Sequence, residues 1–210
     1  YETVQIGEQL WMAENLKVTH YRNGDEIPTG HNLEEWNSLT IDLYNGIGTG
    51  AYTFYNNDTS YFNIYGNLYN WYAAMDERGI CPEGWRIPSQ TDWNGLIENL
   101  TPDSLSGGML KEQGNEHWEY FSAEITEQST NESGFNGLPG GRRKINVTPN
   151  EGSNGFAEIG YVGYFASTYF DDYQGNSHPF RLYYSRSNAG TTPVTVSTDG
   201  ISIRCLKSAP

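Results

Sequence analysis

An α+β domain is the fold class this sequence predicts, and three observations predict it. Apolar residues recur at helical spacing in two stripes near the middle of the chain: Ile64, Leu68, Trp71, Tyr72 and Met75, then Trp93, Leu96, Ile97 and Leu100. Short runs rich in Val, Ile, Tyr and Phe, separated by Gly, Asn, Asp and Ser, lie toward both ends, the pattern of short antiparallel strands. No internal repeat, low-complexity tract or linker divides the 210 residues, so residues 1–210 are expected to form one loop-rich domain. Two short helices packed on short antiparallel strands satisfy all three.

Taken in order, Val4, Ile6, Leu10, Met12 and Leu16 around Trp11 predict strand over 3–18, and Asn23-Gly24-Asp25 a turn. Asn32 is placed to cap a short helix carrying Leu33, Trp36 and Leu39. A Gly- and Asn-rich loop over 40–50 precedes a strand over 51–55 and a turn over 56–58. The first central stripe is stopped by Gly79, and Pro82 keeps it from restarting. Ser89 is the N-cap of the second, with Asp92 three residues on in the capping-box position. The polar stretch 101–132 reads as irregular, anchored to the core by Leu105, Met109, Leu110 and Trp118. Strands are then expected over 135–142, 161–167, 180–185, 193–197 and 201–206.

The net charge of −14 excludes nucleic acid and anionic membrane surfaces as partners, because phosphate binding needs a basic stripe. It suits a chain whose carboxylates collect calcium. Sixteen Tyr, six Trp and 24 Gly give the composition of a loop-rich extracellular binding protein. No apolar run is long enough to span a bilayer. The chain begins at Tyr1 with neither Met nor signal peptide, and is expected to be a piece of a longer secreted protein. The cysteine count rules out a CxxC pair or a zinc set. Cys81 and Cys205 are either two buried thiols or one disulfide, and the secreted-type composition favours the bond.

Several motifs carry a family resemblance. They are Ile6-Gly7 with Trp11-Met12-Ala13-Glu14-Asn15-Leu16, Tyr65-Gly66-Asn67-Leu68-Tyr69-Asn70-Trp71, Cys81-Pro82-Glu83-Gly84-Trp85-Arg86-Ile87-Pro88-Ser89, Asn131-Glu132-Ser133-Gly134-Phe135 and Leu138-Pro139-Gly140-Gly141-Arg142. In this order, continued by Tyr164-Phe165-Ala166-Ser167-Thr168 and Ile203-Arg204-Cys205, the chain resembles the Fibrobacter succinogenes major paralogous domain over nearly its whole length. At Tyr164–Thr168 the family usually shows an aromatic-rich Trp-Ser-Ser-Thr. That family is similar to the C-type-lectin-like and formylglycine-generating-enzyme fold. The resemblance implies a disulfide tying a helix to the final strand, which would be Cys81–Cys205.

Catalysis is not expected. Formylglycine-generating chemistry needs a close cysteine pair, which is missing. His20, His31, His117 and His178 lie in unrelated polar segments without a nucleophile elbow and read as solvated loop residues. Gly107-Gly108 and Gly140-Gly141 lack the Lys-Ser/Thr ending of a phosphate loop.

In C-type-lectin-like domains the loops between the later strands hold the ligand, which here points to 144–160 and 169–179. The expected ligand contacts are Asn154, Tyr169, Tyr173, Asn176, His178 and Arg181. The expected calcium ligands are Asn150, Glu151, Asp171 and Asp172, since Asp171-Asp172-Tyr173-Gln174-Gly175-Asn176 is dense in oxygen donors without being an EF-hand. The scarce cations Arg142, Arg143, Arg181 and Arg186 could pair with a ligand carboxylate or with local acidic residues. The expected role is therefore a secreted or cell-surface module of a bacterial adhesin, binding a peptide or protein end with calcium. A glycan-binding module is the alternative, because exposed aromatic rings can stack on sugars. A structural spacer is a further one.

Overall fold

The computed structural model describes residues 1–42, 47–145, 154–171, 176–191 and 199–208. The strand expected over 3–18 divides into β1 (Thr3–Ile6) and β2 (Gln9–Met12), an antiparallel hairpin with Ile6 opposite Gln9, and 13–18 is not strand. Gly7 turns it at φ 57°, a backbone conformation that favours glycine, and a Cβ there would lie 2.2 Å from the Asn99 side chain, which would have to move. Helix α1 (Leu33–Ser38) is capped by Asn32 and Glu35 in a reciprocal box and buries Trp36. Then β3 (Thr40–Asp42) pairs with β4 (Ile47–Gly48).

The first central stripe is not one helix. Between β5 (Tyr52–Thr53) and its partner β6 (Leu68–Tyr69) runs α2 (Thr59–Tyr65), and α3 (Trp71–Ala74) starts only after β6. Gly66, at φ 74°, ends α2 and leaves Ile64 exposed. Asn67 and Asn70 hold the extended link. The Asn67 amide donates to the Val18 carbonyl at 3.2 Å, and Asn70 Oδ1 accepts from both Ala73 and Ala51 N–H at 3.0 Å. Both asparagines are buried, and their hydrogen bonds to distant backbone override the local periodicity.

Strand β7 (Trp85–Arg86) follows, then α4 (Gln90–Glu98) with the predicted box between Ser89 and Asp92. The stretch 101–132 contains α5 (Ser106–Leu110) and α6 (Ala123–Gln128). Gly108 lets them touch, since a Cβ would lie 2.1 Å from the Gln128 carbonyl oxygen. Leu110 and Trp118 are buried anchors as predicted. The remaining strands are β8 (Gly140–Arg143), β9 (Phe156–Ile159), β10 (Val162–Phe165), β11 (Phe170–Asp171), β12 (Asn176–Ser177), β13 (Phe180–Tyr183), β14 (Gly190–Thr191) and β15 (Leu206–Lys207). Of the strand expected over 201–206, Ile201 and Ser202 make single bridges, and only Leu206 joins a ladder. The strand expected over 193–197 lies outside the described residues.

The chain is thus α+β, with short helices among several sheets. One sheet has the order β1-β2-β15-β7 and brings both ends of the chain together. The other has the order β14-β13-β10-β8-β9, antiparallel except for the parallel pair β8/β10. Helix α4 packs on its Phe165, Phe180 and Leu182 face. There Trp93 stacks on Phe180 at 4.3 Å and lies 4.6 Å from Trp11. Cys81 and Cys205 form a disulfide that joins the segment after α3 to the residue preceding β15. No helix is long and apolar enough to cross a membrane.

Candidate functional site

Strand directions decide from which end of the five-stranded sheet each late connection leaves. Strands β8, β10 and β14 run one way and β9 and β13 the other. The connections following β8, β10 and β14 therefore all leave from the same end. Two of them are the loops expected from the sequence; the third, after Thr191, was not singled out.

A charged network closes this end. Arg142 of β8 binds Glu158 through Nε at 2.6 Å and Asp199 through Nη1 at 3.1 Å, with its guanidinium 5.1 Å from the Tyr164 ring centroid. The Tyr164 hydroxyl donates to Glu158 at 2.8 Å, and burial raises its pKa. Glu158 reaches the network by adopting φ 66°, a strained conformation for a residue with a side chain. Asp199 also accepts from the Ile145 N–H at 3.0 Å. Residues adjoining the connections are thereby fixed to one buried cluster. Sequence reading missed Asp199, which has no local pattern; Arg142 stood out as a scarce cation and does pair with acidic residues.

Burial outweighs the Arg142 and Lys144 charges and pushes the Asp199 carboxyl up to about 6. Because the folded value exceeds the unfolded one, the ionised carboxylate lowers stability above pH 6, and that cost disappears as pH falls toward 4. Its size is about 3 kcal/mol. Urea denaturation of Asp199→Asn is expected to show a flatter rise in stability from pH 7 to pH 4 than the parent. Parallel curves would refute the assignment.

Arg143 projects to the other face and behaves differently. Its guanidinium lies 4.5 Å from the Trp36 centroid and 5.0 Å from that of Phe156, and Nη2 donates to the His31 carbonyl at 2.8 Å. Nε and Nη1 are buried and find no hydrogen-bond partner among the described residues, and burial lowers its pKa to about 10. The expected pairing with a local carboxylate does not occur among the described residues.

The structure brings some predicted contacts together and separates others. Tyr169 is 41% exposed, and its ring meets that of His178 at 4.6 Å. The backbones of Asp171 and Asn176 pair in the β11–β12 hairpin. Arg181 is buried on β13 opposite Tyr164, with its guanidinium 5.4 Å from the Tyr183 centroid. Asn154 is engaged elsewhere, donating to Asn56 Oδ1 at 2.9 Å and accepting from the Phe156 N–H at 3.2 Å. Asn150, Glu151, Asp172 and Tyr173 lie outside the described residues. His117, expected in solvent, is half-buried and meets the Glu112 carboxylate at 2.8 Å, with Glu116 beside them.

A cleft of about 330 Å³ is lined by Arg22, Met75, Asp76, Cys81, Trp85, Arg86 and Ile87, with Thr168 from the connection after β10. Arg86 is held by Asp92 at 2.6 and 2.8 Å. Arg22 donates to the Cys81 carbonyl at 3.2 and 3.0 Å, and no described carboxylate forms an ion pair with it. Apolar walls, an aromatic ring and an uncompensated guanidinium suit a ligand with an apolar body and an anionic end.

Among known families, the model described as the Fibrobacter succinogenes major domain matches residues 4–207. No curated protein and no solved structure matches the chain.

Proposed function

We propose, on the premise that the chain belongs to the Fibrobacter succinogenes major domain family, that it is an extracellular ligand-binding module of a bacterial surface adhesin. Its ligand is a peptide or protein end, and its role is binding rather than catalysis. The observation that carries this reading is the cleft of about 330 Å³, to which the connection after β10 contributes Thr168. Met75, Trp85 and Ile87 supply apolar contact, and Arg22 supplies the charge for a terminal carboxylate. A C-type-lectin-like fold belongs to the same reading. Its support is the bond from the segment after α3 to the residue preceding the last strand.

Calcium is part of the proposal. The backbone pairing of Asp171 with Asn176 brings the two ends of this acidic segment together, which fits a segment that gathers donors for one ion. Asp171 and Asp172, with Glu151 and Asn150, would hold it, and the ion would supply positive charge toward an anionic ligand.

A peptide library displayed with free carboxyl ends, beside the same library amidated, tests the reading. Free-end peptides are expected to be enriched in calcium and lost in a chelator. Arg22→Ala and Tyr169→Ala are each expected to weaken the selected peptide about tenfold, the effect of losing one charge-assisted or aromatic contact. Equal recovery of amidated and free peptides, or none of either, would sink the proposal. A thermal melt unmoved by calcium beyond an equal ionic strength of salt would remove the metal from it.

A further inference from the structure

A second cleft of about 320 Å³ is left unused by a ligand that ends in the first. Arg86 lines both, so the two adjoin. The second cleft crosses the four-stranded sheet. Arg86 belongs to β7, Leu206 and Lys207 to the neighbouring β15, and Gln9 and Leu10 to β2 beyond it. Glu8, in the turn before β2, adds a carboxylate on the far side.

We propose that the second cleft is a subsite for the residues preceding the peptide's terminal one, selecting an acidic and then a basic side chain. The inference rests on the peptide reading above. The walls are set before any ligand arrives. Arg86 is gripped by Asp92 at 2.6 and 2.8 Å, and the Asp92 carboxylate accepts from Ser89 N–H at 2.7 Å. The Gln9 amide donates to the Asp92 carbonyl at 2.9 Å, and Ser208 N–H to the Gly84 carbonyl at 2.9 Å. A preformed cleft cuts the entropy lost on binding.

Strand spacing sets the length that is read. Two steps of about 4.8 Å, from β7 to β15 and on to β2, cover about 10 Å, or about three residue steps of extended chain. With the terminal residue in the first cleft and the next beside Arg86, the Glu8 side is reached at the fifth residue from the end. Charge sets the preference. Arg86 and Asp92 neutralise each other, and among the described residues no ion pair engages Lys207 or Glu8. Lys207 Nζ stands 5.2 Å from the centroid of Trp85, a wall of the first cleft, so the cation lies nearer the junction than Glu8 does. A ligand leaving the first cleft therefore meets Lys207 and then Glu8. Alternate side chains of an extended chain point the same way. A carboxylate two residues before the end and an ammonium or guanidinium four before it meet opposite charges.

Chemical-shift titration in calcium with four free-carboxyl ligands tests the subsite: acetyl-Phe, acetyl-Asp-Ala-Phe, acetyl-Lys-Ala-Asp-Ala-Phe and the charge-exchanged acetyl-Asp-Ala-Lys-Ala-Phe. Affinity is expected to rise about fivefold with each charge engaged along the first three, the upper range for an exposed pair. The exchanged pentapeptide is expected to bind at least tenfold more weakly than its counterpart. Lys207→Glu together with Glu8→Lys is expected to reverse the order of the two pentapeptides and leave acetyl-Phe unchanged. Thermal melts of that variant stay close to the parent, because both side chains are exposed. Affinity that does not rise beyond acetyl-Phe, or an order that the double variant keeps, overturns the second subsite and leaves the terminal site standing. No binding by any of the four, or binding that Arg22→Ala leaves intact, overturns the peptide reading and this inference together.

Discussion

Replacing Cys81 and Cys205 together by alanine is expected to cost about 5 kcal/mol of unfolding free energy, the chain-entropy value for a long closed loop. The two residues are 124 positions apart, so the bond restrains most of the unfolded chain. The double replacement isolates the cross-link, because the hydrogen bonds at these positions are made by backbone. Arg22 donates to the Cys81 carbonyl and Met12 N–H to the Cys205 carbonyl, and neither needs sulfur. Urea denaturation of the parent and the double variant measures the difference. A loss under about 1 kcal/mol would mean that the β2–β15–β7 pairing already restrains the same ends in the unfolded ensemble.

Arg204→Met is expected to cost about 3–5 kcal/mol. Arg204 is fully buried, and its guanidinium donates to Asn15 Oδ1 at 3.2 and 2.7 Å and to the carbonyls of Phe135 and Asn136. Its face lies 4.3 Å from the Phe135 centroid. Burial lowers its pKa to about 9, so it remains a cation at neutral pH, shared among neutral acceptors. Methionine restores apolar volume and leaves those acceptors without a donor in the interior. Asn15 is itself set by its amide, which donates to the Tyr65 carbonyl at 2.9 Å. A double-mutant cycle between Arg204→Met and Asn15→Ala is therefore expected to show strong coupling. Additive losses would show that the guanidinium serves only as packing.

These two residues divide by how they could be read. The cysteine pair was open to inference because only two exist and the motif order resembles a family with a helix-to-strand bond. Arg204 lies in one of the same motifs, yet nothing nearby in the chain announces its partners: Asn15 is 189 positions away. The functional end divides the same way. Tyr169 and His178 were chosen from one loop and do meet. Asn154 came from another loop and is held by Asn56, because proximity between loops depends on strand order.

By itself the sequence determined what is local. Asn32 with Glu35 and Ser89 with Asp92 close hydrogen bonds across three residues, so their caps follow from residue type and spacing alone. Turn glycines and the alternating strand runs are legible for the same reason. Only the tertiary structure decided that the stripe from Ile64 to Met75 breaks, because the interactions that break it come from Leu16, Val18, Thr49 and Ala51. It likewise decided that β8 and β10 run parallel, which sends the connections after both strands to the same end of the sheet. Both outcomes rest on buried polar groups and strands that find their partners far along the chain, and such long-range pairings leave no periodic trace in the sequence.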